Sequence, residues 1–330
     1  MTSRKKAKNP LEALFIDVDD NQEETLDKNE EILAKRKELK EALSLCLSCK
    51  ACQTECPSNV DIATAKTEFL YQYQKIHGSS LSQKLFAYNT KLLNKASLFP
   101  KLSNALFSNA LSSKLIKSIS KIAPERDLPK LKLAKFRDLK LPISQSTKVV
   151  LLIDEFVGLL DGKIAEDAYE LLQRLGYEIL LIPKFDSGRS FLSKGFLDQA
   201  KVLVDKNLSL LEKYLSENTC FVGIEPSAIL SLRDEYLRLA SDKNLAQKIA
   251  DKSLMIEEFT LKEYLEDKLT SSLFTEEYKE IKIHNHCHQK ALGSQKDTFD
   301  ILNIPKSYKP TILPTGCCGM AGSFGYEKEN

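Results

Sequence analysis

Four closely spaced cysteines constrain this chain more than any other feature. Cys46, Cys49, Cys52 and Cys56 stand in the spacing C-x2-C-x2-C-x3-C, and Pro57 follows the last of them. Two intervening residues let the first three sulfurs converge from one loop, and the proline ends that loop and fixes the direction of the next segment. Four soft thiolates in this run are the ligand set of a cubane [4Fe–4S] cluster, where each iron takes one sulfur from the protein. Zinc is the plainer alternative, although structural zinc usually uses two separated C-x2-C pairs or Cys/His pairs. A disulfide framework does not suit a 330-residue chain whose basic start, Arg4 to Lys6, is followed by no apolar core of a secretory signal. Eight cysteines without such a signal point to a reducing cytoplasm and to metal chemistry.

The length suits two domains. A formal net charge of +2 gives no global field for nucleic acid. No apolar run approaches the ~20 residues that span a bilayer. Any membrane association is therefore peripheral, at the inner face. Residues 1–28 read as a flexible arm in which Lys5 and its neighbours give way to Asp17, Asp19, Asp20, Glu23 and Glu24. Residues 29–122 read as a helical domain holding the four cysteines. Asn29 is placed to cap a helix whose face carries Ile32, Leu39 and Leu43. Beyond Pro57, Ser58 and Asp61 have capping-box-like spacing, ahead of a stripe of Ile62, Phe69, Tyr73 and Ile76 that ends at Gly78. Leu81, Leu85 and Leu92 mark one further helix, and Leu111, Leu115, Ile119 and Ile122 another. Residues 123–147, with Pro124, Pro129 and Pro142, read as a basic linker. A docking site for an acidic partner is the alternative reading of that stretch.

Residues 148–330 change period. Apolar runs at Val149 to Ile153, Glu178 to Pro183 and Cys220 to Ile224, then Ile281 to His284 and Thr311 to Leu313, alternate with helical patterns at Ala165 to Leu175 and Ser227 to Ala240. That alternation argues for an α/β region with a mainly parallel sheet. Ligands in such sheets gather at the carboxyl ends of strands, where two loops draw attention. One carries His284, His286, Cys287 and His288; the other carries Gly316, Cys317, Cys318 and Gly319. Neighbouring side chains on a strand point to opposite faces, but a glycine-bracketed turn can aim both sulfurs one way. Cys287, Cys317 and Cys318 are thus candidates for a second redox or metal site, with His286 and His288 as hydrogen-bonding donors behind it. Reduced, buried cysteines are the alternative, and for Cys220 on its apolar strand that is the favoured reading.

Several segments together resemble one family: Cys46 to Leu70, Gly223 to Ser227 with Arg233 to Tyr236, His286 to Lys290, and Cys317 to Tyr326. This is the iron–sulfur part of FAD-linked D-2-hydroxyacid dehydrogenases of the D-lactate, glycolate and D-2-hydroxyglutarate type. It is related to anaerobic glycerol-3-phosphate dehydrogenase subunits. The 148–330 region resembles their cysteine-rich CCG domain, also found in heterodisulfide reductase. The resemblance implies a ferredoxin-type [4Fe–4S] domain, a CCG domain built as a degenerate tandem repeat, and electron transfer. FAD would sit on a partner dehydrogenase subunit or domain, and the iron–sulfur part would pass electrons singly towards a quinone or another acceptor. The chain by itself is not expected to be active.

The sequence also departs from that pattern. Asp186, Ser187, Gly188 and Arg189 stand where the first half often has Cys-Cys-Gly, so that half offers no thiolates. Ala228 follows Glu225-Pro226-Ser227 where relatives often carry cysteine. A second ferredoxin-type segment upstream and a continuation past Asn330 are expected from the family, so a split gene product or a fragment, with an incomplete CCG domain, is the expectation here. No G-x-G-x-x-G follows a strand. Two rival readings are a heterodisulfide reductase-like thiol/disulfide subunit working at Cys317 and Cys318, and a redox-silent module whose metal fixes the fold.

Overall fold

The computed structural model describes residues 24–328. Most of the expected arm, residues 1–23, lies outside the described residues. Glu24–Ser44 is one helix, so Asn29 stands inside it rather than capping it. Helix Ala51–Glu55 carries the middle of the cysteine run, and helix Ile62–His77 follows. Asp61, not Ser58, caps the latter. Its carboxylate accepts the Thr64 N–H at 2.9 Å and the Thr64 hydroxyl at 2.6 Å, which satisfies one of the helix's orphan donors directly. Of the expected stripe, Phe69 is fully buried while Ile62 and Ile76 are exposed.

Four short helices, Leu81–Ala87, Asn89–Ala96, Pro100–Ser108 and Ala110–Ser120, replace the two longer ones expected from the leucine pattern. The caps explain the breaks. Ser80 and Gln83 form a capping box, Pro100 opens its helix at the first turn, and Asn109 accepts the N–H groups of Leu111 and Ser112. Segment 123–147 has no helix or strand, but it is not loose. Leu128 and Leu131 are buried, Lys132 N–H donates to Leu159 O at 2.9 Å, and Gly162 N–H donates to Lys132 O at 2.7 Å. The strap lies so close that a Cβ on Gly162 would meet Lys132 O at 2.4 Å. Its basic residues, Lys130 to Lys140, are exposed on the outer side.

The α/β region contains two parallel sheets where one was expected. β1 (Lys148–Asp154), β2 (Glu178–Phe185), β3 (Thr219–Gly223) and β4 (Ser253–Met255) form a sheet in the order β2-β1-β3-β4. β5 (Lys279–Ile283) and β6 (Tyr308–Ile312) form a separate pair. β4 spans three residues and gave no periodic signal. Both faces of the larger sheet are covered, which is why its strands read as continuous apolar runs. Val150, Leu152 and Phe221 pack on one side with Leu211 and Ile229. Val149, Leu151, Ile153 and Val222 pack on the other with Leu172 and Phe259. Each such fully buried side chain contributes about 1.5–3 kcal/mol to stability.

The expected helix Ser227 to Ala240 is broken into Pro226–Ile229, a 3-10 turn Leu230–Arg233 and Glu235–Leu239, with Asp234 at φ −133°, ψ −86° between the last two. This turn brings Asp234 and Glu235 to a lysine of the cysteine loop, as described next.

Candidate functional site

The cysteine loop is a tightly turned piece of backbone. Ser48 and Lys50 both adopt positive φ, at 55° and 62°, a conformation that costs roughly 1–2 kcal/mol per non-glycine residue. Backbone N–H groups point at sulfur: Ser48 N–H donates to Cys46 Sγ at 3.4 Å and Ile62 N–H to Cys52 Sγ at 3.3 Å. The N–H groups of Val60, Ser58 and Asn59 hold the Cys56 thiol below its ordinary range. Lys66 reaches across from helix Ile62–His77 and donates to Cys46 O at 2.6 Å.

Lys50, inside the motif, is the residue that mounts this loop. It is 1% exposed, and its Nζ binds Asp61 at 3.2 Å, Glu235 at 3.3 Å, and Asp234. Burial alone would lower its pKa, but Glu235, Asp234 and Asp61 outweigh that and raise it. Arg189 binds Glu235 at 2.6 Å, and Arg238 binds Asp234 at 3.1 Å and Asp61 at 3.3 Å, so three cations and three carboxylates close one network between the helical and α/β regions. Sequence reasoning missed this. A lysine between two motif cysteines reads as a solvated spacer, and its partner pair 184 and 185 residues away carries no local signal.

On the other side of that network lies the second group of cysteines. Helix Ala51–Glu55 packs against helix Cys287–Leu292. Cys287 opens the latter helix, and its sulfur stands 3.5 Å from Cys317 Sγ, both thiols free. Gly319, at φ 76°, donates its N–H to Cys317 Sγ at 3.3 Å, as a glycine-bracketed turn permits. Burial first, then the Cys317 contact, then Cys49 and Cys318, push the Cys287 thiol up to about 12. Cys49 thus lies within electrostatic reach of Cys287. Two clamps tie the loops together: His284 Nδ1 meets Thr315 Oγ1 at 2.6 Å, and Lys290 donates to Thr315 O at 2.8 Å.

His286 and His288 lie at a helix start. Their rings stack with centroids 5.4 Å apart. His286 caps the helix by accepting the His288 N–H and lies 3.5 Å from Glu225. His288 is buried with neither ring nitrogen bonded, and burial, then Arg189, keep it neutral. Cys220 sits half-buried within β3, apart from both loops.

Among the described residues, no three His, Cys, Asp or Glu side chains converge as a ready-made metal cage. Cys46, Cys49, Cys52 and Cys56 share one loop-and-helix segment without closing on a point, and Cys287 and Cys317 meet, with Cys317 and Cys318 both exposed. The donor chemistry still fits an iron–sulfur group: four thiols, N–H groups at sulfur, and Lys66 within reach of Cys46. Such sites close as they bind.

β1 and β2 end on a different chemistry. Glu155 accepts the Ser187 N–H at 2.8 Å and its hydroxyl at 2.7 Å, so a carboxylate–serine contact stands where β5 and β6 place Cys287 and Cys317. Burial, then Asp154 and Asp186, push Glu155 up to about 8, and burial, then Glu225, push up Asp154. A carboxyl raised in this way stays protonated in the folded chain where its unfolded counterpart has ionised. Its contribution therefore falls as pH rises towards the folded value. His288, buried and neutral, acts in the opposite sense, but only below the ordinary histidine range. Stability is expected to drop as pH rises to about 8, by up to ~1.4 kcal/mol per pH unit from Glu155, with Asp154 adding to the slope only up to about pH 7. Denaturant midpoints across that window check this, and Glu155→Gln should flatten the slope.

The chain is similar to the D-2-hydroxyglutarate dehydrogenases of Escherichia coli (strain K12) and Pantoea ananatis (strain AJ13355), at 27% identity over 311 and 309 residues. Each match covers 89% of this chain and 29% of the dehydrogenase, so the chain spans under a third of their length. It is also similar to a subunit of the anaerobic glycerol-3-phosphate dehydrogenase of Escherichia coli (strain K12), at 25% identity over 224 residues, 66% of this chain and 55% of that relative. No family model and no solved structure matches it. The relation is distant and oxidoreductase-associated.

Proposed function

We propose that this chain is an electron-carrying component of a flavin-linked D-2-hydroxyacid dehydrogenase. One observation carries the reading: two thiol loops from distant parts of the sequence are mounted against each other, with Lys50 tying the first to the region that presents the second. Cys46, Cys49, Cys52 and Cys56 would hold a [4Fe–4S] cluster, which supplies one-electron transfer when bound. Cys287, Cys317 and Cys318 form the second redox or metal site. The N–H groups of Ser48, Ile62 and Gly319 stabilise negative charge on sulfur, and Lys66 adds positive charge within reach of Cys46. His284 and Lys290 hold the Cys317 loop to the Cys287 loop through Thr315.

The similarity to D-2-hydroxyglutarate dehydrogenases supports a 2-hydroxyacid as the source of electrons. The similarity to a glycerol-3-phosphate dehydrogenase subunit supports work within an assembly of several chains. A partner flavoprotein carries the FAD, and a quinone or similar carrier accepts the electrons. A degenerate tandem accounts for the two parallel strand pairs, β1 with β2 and β5 with β6. Anaerobically purified protein is expected to contain iron and acid-labile sulfide in equal amounts and to give a reduced-state EPR signal. Zinc in their place overturns the reading.

The free Cys287–Cys317 contact at 3.5 Å favours a second reading, a heterodisulfide reductase-like thiol/disulfide subunit. Those two sulfurs come from separate strand ends, unlike the adjacent Cys317 and Cys318, whose bridging would strain the backbone. Turnover of a disulfide substrate without any flavoprotein would select it.

A further inference from the structure

The 56 residues from Phe69 to Pro124 contain no aspartate or glutamate, but eight lysines. At the chain's average of 46 acids in 330 residues this span would carry about eight. Its content of basic residues is the chain's average, so the absence of acids gives this span a net charge of +8 in a chain that is +2 as a whole. Within the span lie two consecutive helices that pack on each other, Pro100–Ser108 and Ala110–Ser120.

These helices are firmly seated on one side. The Asn104 side chain accepts the Leu131 N–H at 2.7 Å and donates to Leu131 O at 2.9 Å. Phe107 packs against the buried cluster of Leu93, Leu131 and Leu159. The other side carries large apolar groups into solvent. Leu98 and Phe99 precede the first helix, and Leu102 and Leu106 lie one turn apart along it. On the second helix Leu111, Leu115 and Ile119 recur every fourth residue, a single stripe. All seven are between 47% (Leu106) and 81% (Leu111) exposed. Exposed lysines surround them: Lys95, Lys101, Lys114 and Lys121. Among the described residues no helix is long and apolar enough to cross a bilayer, so this is a surface feature.

We infer that this face seats the protein on an anionic membrane surface, with the leucines and Phe99 entering the headgroup boundary and the lysines reaching to phosphate. The composition selects lipid over protein. Protein interfaces favour Tyr, Trp, Phe, Met and Arg and deplete Lys and Ser. Of those favoured types residues 89–122 contain only Phe99 and Phe107, the latter packed inward, and the span is rich in Leu, Lys and Ser instead. Apolar residues opposed by lysine, without carboxylates, are what an interfacial helix presents to acidic lipid. The end of this face is tied to the segment that follows the thiol loop. Past the second helix, Ala123 N–H donates to Tyr326 O at 2.8 Å, and Lys328 N–H donates to Lys121 O at 2.9 Å, which pins the segment after Cys317 and Cys318 to the end of that helix. A lipid-dissolved acceptor would meet the chain on that side. The docking itself stands independently of the redox reading.

Flotation of the full chain with vesicles tests this. Vesicles of phosphatidylglycerol and phosphatidylcholine in equal parts are expected to carry the protein, vesicles of phosphatidylcholine alone much less, and added salt should release it. Leu111→Ser with Leu115→Ser should weaken binding by about tenfold or more, given the apolar area withdrawn. Lys101→Glu with Lys114→Glu should also weaken it by about tenfold or more, each lysine being worth roughly fivefold near an acidic surface. All four positions are exposed, so melting curves should match the parent, and should the leucine pair melt early the lysine pair decides. No flotation, equal flotation on neutral vesicles, or unaltered binding by the lysine pair overturns the inference. So does a stable dimer in solution that the leucine variant disperses, which would make the face a contact between copies.

Discussion

Serine in place of Cys49 is expected to abolish the reduced-state EPR signal of the N-terminal site and to cut bound iron sharply, whereas Cys220→Ser should alter neither. A serine oxygen is a harder donor than thiolate and a poor substitute at iron. Cys49 is one of four thiols on a single loop-and-helix segment, while Cys220 lies within β3, apart from either loop. The same change separates two chemical tasks in a complex with the flavoprotein. Removal of an electron pair from a hydroxy acid needs an organic two-electron cofactor, so flavin reduction by substrate should continue. Onward flow to the acceptor should fall to background. Purified by itself, the chain should reduce no dye with D-lactate, glycolate or D-2-hydroxyglutarate. An unchanged EPR signal in Cys49→Ser would remove the cluster from this segment.

Both thiol loops were legible in the sequence because their information is local. Spacing alone marks Cys46 to Cys56, and glycine neighbours mark Cys317 and Cys318. Strand runs such as Val149 to Ile153 were legible because burial on both faces leaves no polar alternation to confuse them. What escaped was decided by contacts at long range or by single side chains. Asp61 took the cap expected of Ser58 because its carboxylate reaches both donors of Thr64. Helix Ser227 to Ala240 broke at Asp234, where Lys50 draws two consecutive carboxylates inward. The leucine pattern of residues 81–122 suggested ordinary helical scaffold. Periodicity shows that a face is apolar, but not whether anything covers it, and there the face of Leu111 and Leu115 is open.

Lys50→Met is expected to lower the free energy of unfolding by about 3–5 kcal/mol, the cost of removing one partner from a buried charge network. The lower end applies here, because Arg189 still holds Glu235, and Arg238 still holds Asp234 and Asp61. Urea midpoints at unchanged slope measure it. A general loss of packing would give the same number, so the network needs its own signature. Asp234→Asn in the Lys50→Met background should recover part of the loss, since it removes a carboxylate left short of its closest cation, whereas Asp234→Asn alone should be destabilising. The consequence reaches the thiols. With the loop released from Asp234 and Glu235, helix Ala51–Glu55 loses its hold against helix Cys287–Leu292, and Cys287 gains solvent. Burial is the first cause of that thiol's raised pKa, so Cys287 in metal-free Lys50→Met protein should alkylate faster than in the parent. Equal alkylation rates together with full stability would show that Lys50 neither holds the loop nor shields Cys287. The two thiol sites would then be neighbours without a shared mounting.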